Sequence, residues 1–322
     1  KILDSSLKDE EILPATLAKE ITTTLLREKL GFNGLVVTDA TAMAGFALPM
    51  PREKAVPMSI AAGNDMFLFT RNMDEDFYFM KKGIEEGVIT SERLDEALTR
   101  ILGMKAALKL HTKQQNNELA PNLERAKEII GNPKHQEWAK ECADKSITLV
   151  KEEKGVLPIS VEKHKRVLFY NLENTGSFFD GNNVTEEFRK LLENEGFEIE
   201  VFNANKGMEG MMTPSKDVLG KYDLIIYVAN IITKSNQTTV RIEWAMPMGI
   251  NIPIYLTSIP TIFVSVENPY HLLDIPRVKT YINAYSSGEN ILKEIVEKLM
   301  GRSEFKGTNP VDPFCGKWDT RL

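Results

Sequence analysis

The most constraining feature of this sequence is the run at residues 35–40, Leu-Val-Val-Thr-Asp-Ala, in which apolar residues end abruptly in Thr38 and Asp39. Strands of a parallel sheet that are covered on both faces read as short continuous apolar runs. In α/β barrels, the reactive side chains lie where such strands end, on loops that lead to the next helix. The pattern predicts a buried strand that ends in a candidate active-site carboxylate. An Asp here also fits a helix cap or the start of a turn.

Helical and strand patterns alternate between residues 13 and 110. We predict helices at 13–30, 52–62, 76–86 and 91–110, with buried strands at 35–40 and 66–69. Gly31 and Gly63 follow the first two helices as C-terminal glycines do, and Ser91 is the predicted N-cap of the last helix. This order is typical of an α/β barrel, but two strands cannot close one.

The second half of the chain predicts a separate α/β domain. Residues 112–133 are polar and predict a linker, which a helix at 133–145 and a strand at 146–150 follow. Further strands are predicted at 167–170, 198–202, 224–228, 261–266 and 280–285, and further helices at 186–195 and 290–299. The alternation implies an open, mostly parallel sheet with helices on both faces. We therefore predict domains at 1–111 and 134–322, joined by the linker 112–133.

Composition and motifs argue against several classes of function. A formal net charge of -6 argues against a nucleic-acid partner, and no apolar run approaches the roughly 20 residues that a membrane span needs. Cys142 and Cys315 form no metal-ligand spacing, and no phosphate-binding glycine motif follows the first strand of the second domain. The methionine-rich stretch 207–212 predicts a flexible loop rather than a metal site. We expect no cofactor, no metal, no membrane association and a cytoplasmic location.

Several blocks of this sequence resemble family 3 of the glycoside hydrolases, in the order and spacing of that family. In the first half they are residues 26–40 with Met43, 61–66 (Ala-Ala-Gly-Asn-Asp-Met), 87–95 (Gly-Val-Ile-Thr-Ser-Glu-Arg-Leu-Asp) and 100–102. In the second half, residues 146–151, 267–270 and 281–286 resemble the entry and late strands of the family's α/β sandwich domain. The resemblance spans about residues 13–310. It implies the C-terminal part of a (β/α)8 TIM-type barrel followed by that sandwich.

The resemblance implies a retaining mechanism in which Asp39 is the nucleophile and forms a glycosyl-enzyme intermediate. Family members that cleave glucosides usually carry an aromatic residue after this Asp, whereas this chain has Ala40. The Thr38-Asp39-Ala40 form with Met43 is similar to the β-N-acetylglucosaminidase branch, where a smaller residue leaves room around the sugar. We therefore expect Thr38, Ala40 and Met43 to bind an amino sugar or oligosaccharide. The expected role is carbohydrate metabolism or cell-wall recycling.

The acid/base of the reaction is harder to assign. The resemblance implies a His paired with an Asp on a loop of the first half of the barrel, and no such loop occurs here. The four histidines are His111, His135 and His164, predicted at the surface, and His271, predicted to be structural. We expect the chain to be the C-terminal part of such an enzyme, with the N-terminal barrel half as its missing partner. Little or no hydrolysis is then expected, since loss of one catalytic partner removes nearly all rate.

Other interpretations remain open at this point. The chain could be a non-catalytic α/β binding or dimerisation module, a β-glucosidase or β-xylosidase, or a glycoside phosphorylase that uses phosphate in place of water. Ala40 disfavours glucose, whereas nothing in the sequence separates water from phosphate. An exposed barrel edge would also favour pairing with a second copy, so a homodimer is a further expectation.

Overall fold

The computed structural model describes residues 5–173, 183–203, 214–233, 240–245 and 249–322. The methionine-rich stretch 207–212 lies outside these ranges. The chain divides into two compact units, Lys1–Ala126 and Lys127–Leu322. The stretch 112–133 contains the boundary between the units and includes helical residues. The exact domain and linker limits stay a prediction.

Both predicted strands and the helices that follow them are present up to residue 129, but the predicted helix at 13–30 is divided into a 3₁₀ turn and a shorter π-helix, and two short helices lie in the predicted linker. The elements are a 3₁₀ turn at Ala15–Leu17, a π-helix at Glu20–Lys29, β1 (Val37–Ala40), α1 (Ala44–Ala47), α2 (Arg52–Ala61), β2 (Met66–Leu68), α3 (Met73–Glu85), α4 (Ser91–Ala107), α5 (Leu110–Gln115) and α6 (Leu123–Ile129). Gly31 and Gly63 have φ angles of 70° and 123°, so both provide the left-handed backbone that a chain needs as it leaves a helix.

The predicted N-cap of α4 is one residue out of place. Thr90, with extended backbone, is the N-cap, and its side chain accepts a hydrogen bond of 3.2 Å from the Arg93 backbone N–H. Ser91 is already the first helical residue. Two adjacent hydroxyl residues compete for this position, and the one with non-helical backbone takes it.

The prediction that both strands of this unit are buried is wrong for one face. β1 and β2 pair in parallel, with Val37 opposite Met66 and Ala40 opposite Leu68. The side chains of Val37, Met66 and Leu68 are 42%, 37% and 42% exposed. Among the residues that the structure describes in this unit, helices and loops cover the opposite face alone, around a small core that includes Phe46. An apolar run predicts that both faces of its strand are packed against other residues. Those residues belong to other segments, which the run itself does not specify.

The second unit is built on a six-stranded, mostly parallel sheet, as predicted. Its strands are β3 (Thr148–Lys151), β4 (Arg166–Glu173), β5 (Glu198–Val201), β6 (Leu224–Asn230), β7 (Thr261–Ser265) and β8 (Thr280–Asn283). The strand order is β3-β8-β7-β6-β4-β5, and only the β3–β8 pair is antiparallel. Its helices are α7 (Pro133–Ser146), α8 (Val184–Asn194), α9 (Ser215–Leu219) and α10 (Glu289–Leu299). None of the helices described in either unit is long and apolar enough to cross a bilayer.

The two faces of this sheet are covered differently. Along β4, Val167 and Phe169 face one core and Leu168 and Tyr170 the other, because side chains alternate along a strand. The first core is packed by the long helices α8 and α10. In the described residues, the second core is closed by loop residues and short helical turns. The prediction of helices on both faces is therefore only partly met, because the connections on the second side form few helical turns.

Candidate active site

Asp39 lies at the carboxyl end of β1 and is exposed. Its Oδ1 accepts a hydrogen bond of 2.7 Å from the backbone N–H of Ala40. Among the described residues, no cationic side chain forms an ion pair with this carboxylate. The carboxylate is therefore open to a ligand, with Oδ2 as the oxygen that no described donor engages.

The other predicted site residues occupy different positions around Asp39. Thr38 is buried, and its hydroxyl donates to the Asp39 carbonyl at 2.8 Å and accepts from the Leu68 backbone N–H at 3.3 Å. Thr38 therefore joins the two strands on the covered face of the sheet. Ala40 and Met43 are half-buried, and the Met43 N–H donates to the Ala40 carbonyl at 3.1 Å, which turns the chain into α1. Their roles in substrate binding stay a prediction.

Thr41 fixes the backbone beyond Asp39, although sequence reasoning missed it. It is fully buried, and its N–H donates to the Phe69 carbonyl at 3.2 Å. Its hydroxyl donates to Asp76 Oδ2 at 3.2 Å and accepts from the Arg71 N–H at 3.0 Å, while its carbonyl accepts from Arg52 Nη1 at 2.8 Å. Every polar group of Thr41 thus has a partner, and the ends of β1 and β2 are locked together.

Arg52 and Asp76 form the support behind Thr41. Arg52 Nη2 forms an ion pair with Asp76 Oδ1, and its Nε reaches Glu75 Oε2 at 3.2 Å. Asp76 is 1% exposed, on the first turn of α3. The sequence does not reveal this pairing. Asp76 is one of three acidic residues in the first turn of α3, and helices favour acidic residues at that end in any case.

The segment after β2 adds two exposed side chains to the edge that holds Asp39. Phe69 is 74% exposed and has a φ of 48°, a left-handed conformation that is uncommon for a residue other than glycine. Arg71 is also exposed, and its backbone is the donor to Thr41. Strained backbone held by surrounding contacts is a feature that clusters at functional sites.

The opposite end of the two-stranded sheet carries a different arrangement. Asp65 directly precedes β2, and its side chain is fully buried. Its Oδ2 accepts from Arg27 Nη2 at 2.6 Å and from the Val36 backbone N–H at 2.9 Å, and its Oδ1 is paired with Arg93. Arg100 approaches Oδ1 at 3.6 Å. Both oxygens of the Asp65 carboxylate are therefore paired with groups of the fold itself.

A groove of about 630 Å³ opens at this amino side of β1, between α4 and the segment that enters the strand. It is lined by Asn33, Gly34, Leu35, Glu92, Asp95, Glu96, Thr99, Arg100, Gly103, Met104 and Ala107. None of the four predicted site residues is among the described residues that line it.

The four histidines of the chain differ in burial. His111 and His135 are exposed, as predicted, and His271 is fully buried in the second unit. The prediction for His164 is wrong, because it is 2% exposed, and burial, together with the nearby Lys163, lowers its pKa. The lysine-rich sequence around His164 suggested a surface, but the lysines turn outward while the imidazole turns in. Within the described ranges, no three His, Cys, Asp or Glu side chains form a metal site.

The family model for the glycosyl hydrolase family 3 N terminal domain matches residues 2–104, which include Asp39 and its supports. A β-N-acetylglucosaminidase/β-glucosidase of Cellulomonas fimi is 51% identical over 327 residues, which cover 100% of this chain and 57% of that relative. The chain belongs to glycoside hydrolase family 3, which confirms the resemblance seen in its motifs.

Solved structures show the same relationship. A β-glucoside phosphorylase, BglX, is 44% identical with a TM-score of 0.84, and the match covers 99% of this chain and 56% of that one. A family 3 β-N-acetylglucosaminidase from Paenibacillus sp. str. FPU-7 has a TM-score of 0.70 at 21% identity, over 94% of this chain and 56% of that one, which shows likeness of fold. The chain thus spans a little more than half the length of these relatives.

Proposed function

We propose that this chain carries the nucleophile of a retaining glycosidase, and that Asp39 attacks the anomeric carbon of a terminal β-linked N-acetylglucosamine. The observation that carries this proposal is the exposed, cation-free carboxylate at the carboxyl end of a parallel strand, with the backbone beyond it locked at Thr41. A carboxylate nucleophile must be open to the sugar and fixed in position. Asp39 meets both requirements.

In the proposed mechanism, Asp39 Oδ2 forms a bond to the anomeric carbon while the bond to the leaving oxygen breaks. The Ala40 N–H that donates to Oδ1 keeps the carboxylate plane fixed during this attack. A second acceptor then displaces Asp39 from the same carbon, so the configuration of the sugar is retained. We place the acid/base that protonates the leaving oxygen in the part of the barrel that the longer relatives contain, and expect slow hydrolysis by this chain alone.

We also propose that the first unit is the C-terminal part of a TIM-type barrel. Its support is the parallel pairing of β1 and β2, the helices that follow each strand, and the uncovered face that holds Val37, Met66 and Leu68. Further parallel strands would cover this apolar face and bring Asp39 to the carboxyl mouth of the barrel. A light-scattering mass of twice the monomer would instead favour cover by a second copy.

The choice of sugar rests on two observations. Ala40 places a small side chain beside Asp39, which leaves room for a 2-acetamido group. The relative that is 51% identical carries both N-acetylglucosaminidase and glucosidase in its name. We therefore propose N-acetylglucosamine as the preferred sugar and glucose as a poorer substrate.

Phosphorolysis is a second candidate for the same site, and a specific comparison favours it. The structure that is 44% identical is described as a phosphorylase, which transfers a glycosyl group to phosphate. The first half of the reaction, formation of the ester on Asp39, is the same for both candidates. They differ in the acceptor that resolves the ester.

The proposal is tested by turnover of an aryl β-N-acetylglucosaminide, whose good leaving group lessens the need for an acid. We expect slow release of the phenol by the chain and no release above background in Asp39→Asn. Asp95→Asn, which removes an exposed carboxylate from α4, is the matched control and should keep the rate of the parent. Equal rates for the parent and Asp39→Asn would refute the assignment.

A further inference from the structure

Arg71 places a positive charge at the same edge of the sheet as Asp39. It follows β2 by three residues, is exposed, and donates its backbone N–H to Thr41 Oγ1 at 3.0 Å. Thr41 lies two residues beyond Asp39, a separation of at most roughly 7 Å along an extended backbone. The long arginine side chain therefore has the reach to bring its guanidinium to the space in front of the Asp39 carboxylate.

The guanidinium of Arg71 differs in its pairing from those of the other arginines discussed in this unit. Those arginines are bound to buried carboxylates, namely Arg27, Arg93 and Arg100 around Asp65, and Arg52 with Asp76. Across the described part of the chain, no carboxylate pairs with the guanidinium of Arg71. Its backbone is fixed by Thr41, whereas its planar, five-donor head group is available for a ligand.

We propose that Arg71 anchors inorganic phosphate as the acceptor that resolves the glycosyl ester on Asp39, so that the product is a glycosyl phosphate. The inference rests on the function proposed for Asp39. A guanidinium matches two phosphate oxygens at once and remains charged at all working pH values, so it suits this acceptor better than it suits water.

The step balances without a proton transfer to the protein. One oxygen of the phosphate dianion forms a bond to the anomeric carbon while the bond from that carbon to Asp39 breaks. The bonding electron pair leaves with Asp39 as carboxylate, so the two negative charges are shared between the product and Asp39. Water would need a base to remove its proton in the same step. The phosphate dianion needs no such base.

The charge of Asp39 determines when phosphate binds, and binding is favoured after the ester has formed. Phosphate near ionised Asp39 is repelled, whereas phosphate near the ester is not, because the ester is neutral. Asp39→Asn mimics that neutral state. At separations of a few ångströms in a solvated site, removal of the repulsion should tighten phosphate binding roughly two- to tenfold at moderate salt.

The test titrates inorganic phosphate into the chain at mildly alkaline pH, where phosphate is largely dianionic, and follows backbone and arginine side-chain NMR signals. We expect shifts near residues 39–43 and 69–72, tighter binding in Asp39→Asn than in the parent, and at least tenfold weaker binding in Asp39→Asn with Arg71→Gln. The matched control adds Arg125→Gln, an exposed arginine on α6, and should bind as Asp39→Asn does. Binding that is absent in Asp39→Asn, or unchanged by Arg71→Gln, overturns the proposal.

Product analysis separates this inference from the function on which it rests. With the aryl substrate and phosphate, the parent should form glycosyl phosphate. Arg71→Gln should lose that product and release phenol only at the slow rate at which water resolves the ester. Turnover that depends on Asp39 but yields free sugar in both proteins would leave the proposed function standing and remove the role of Arg71. If phosphate binds through Arg71 but phenol release is the same with and without Asp39, the proposed function is wrong. The bound phosphate is then not the acceptor for an ester on Asp39, and the role proposed for Arg71 falls as well.

Discussion

Asp39 and Asp65 lie at opposite ends of the same pair of parallel strands. Asp65, at the amino end, is fully buried, and three arginines and a backbone N–H surround it. Asp39, at the carboxyl end, is exposed and accepts one backbone hydrogen bond. In α/β barrels the amino end of the strands serves stability and the carboxyl end serves chemistry. Asp65 is buried and paired, as a structural carboxylate is, and the proposed nucleophile Asp39 lies exposed at the other end.

The comparison shows how a structural carboxylate differs from the proposed nucleophile in this unit. Burial takes a carboxylate away from water, so cations and N–H donors must replace the water, and the charge is then committed to the fold. A nucleophile needs the reverse arrangement, with a fixed backbone and a free oxygen. Thr41 provides the fixed backbone at the Asp39 end without contact with the carboxylate itself.

The largest effect on stability should follow Asp65→Asn. The substitution leaves the partly buried Arg27 and Arg93 without the fully buried counter-charge between them, which should lower the free energy of unfolding of the first unit by about 3–5 kcal/mol. Asp39→Asn should change it by no more than about 0.5 kcal/mol, because the site is exposed. Hydrogen exchange of β1 and β2 peptides across a urea series measures both. Similar losses in the two variants would break the comparison.

A smaller effect is expected at Thr41. Thr41→Val keeps the shape of the side chain but leaves Asp76 Oδ2 and the Arg71 N–H without their hydroxyl partner, which should cost about 1–3 kcal/mol. The rate of ester formation on Asp39 should also fall, by up to about 10²-fold, because the reacting group loses its fixed position. Thr41→Ser retains the hydroxyl and should recover most of both. A full rate in Thr41→Val would show that the lock does not position Asp39.

The smallest change in stability is expected for substitution of Asp144, a carboxylate of the second unit that extends the comparison. Hydrogen bonds from Lys306 and Lys298 hold the pKa of Asp144 well below its usual range, so this carboxylate also belongs to the fold. Asp144→Asn should lower the free energy of unfolding by on the order of 1 kcal/mol at neutral pH.

The pH dependence of that difference has a definite sign. Because the pKa is lower in the folded chain than in the unfolded one, the stabilisation is complete above about pH 4 and is lost as the pH falls through the folded value. Urea midpoints of the parent and Asp144→Asn should therefore converge in acid. A gap that stays constant down to the acid limit would show that Asp144 stabilises by packing rather than by charge.

The sequence predicts the elements of this fold well because their signals are local. The presence of a helix before Gly31, helix α2 before Gly63, and the parallel strands of the second unit follow from apolar periodicity and terminal glycines. The π-helical form of the first of these is not predicted by that periodicity. The motif blocks likewise assign the family and single out Asp39. These inferences need only residues that are close together along the chain.

The parts that sequence reasoning misses depend on distant partners. Thr41 and Asp76 are 35 residues apart, and no periodicity links a threonine in a loop to an acid in a helix. The exposure of Val37 and Leu68 depends on whether other segments cover the sheet, which an apolar run cannot specify. His164 lies among lysines, and only the turn of the backbone puts its ring inside. Sequence alone also does not show which arginines are paired with carboxylates, so it does not distinguish Arg71 from the others.

The most direct test of the role of Asp39 is to trap the glycosyl ester and locate it by peptide mass spectrometry. A 5-fluoro-β-N-acetylglucosaminyl fluoride suits this purpose, because its leaving group needs no acid and its ring fluorine slows release of the sugar. We predict one added sugar per chain, on the peptide that contains residues 37–43, with none on Asp39→Asn and full labelling of Asp95→Asn. A sugar attached to a different residue, or no adduct on a chain that turns over the aryl substrate, would contradict the assignment of Asp39 as the nucleophile.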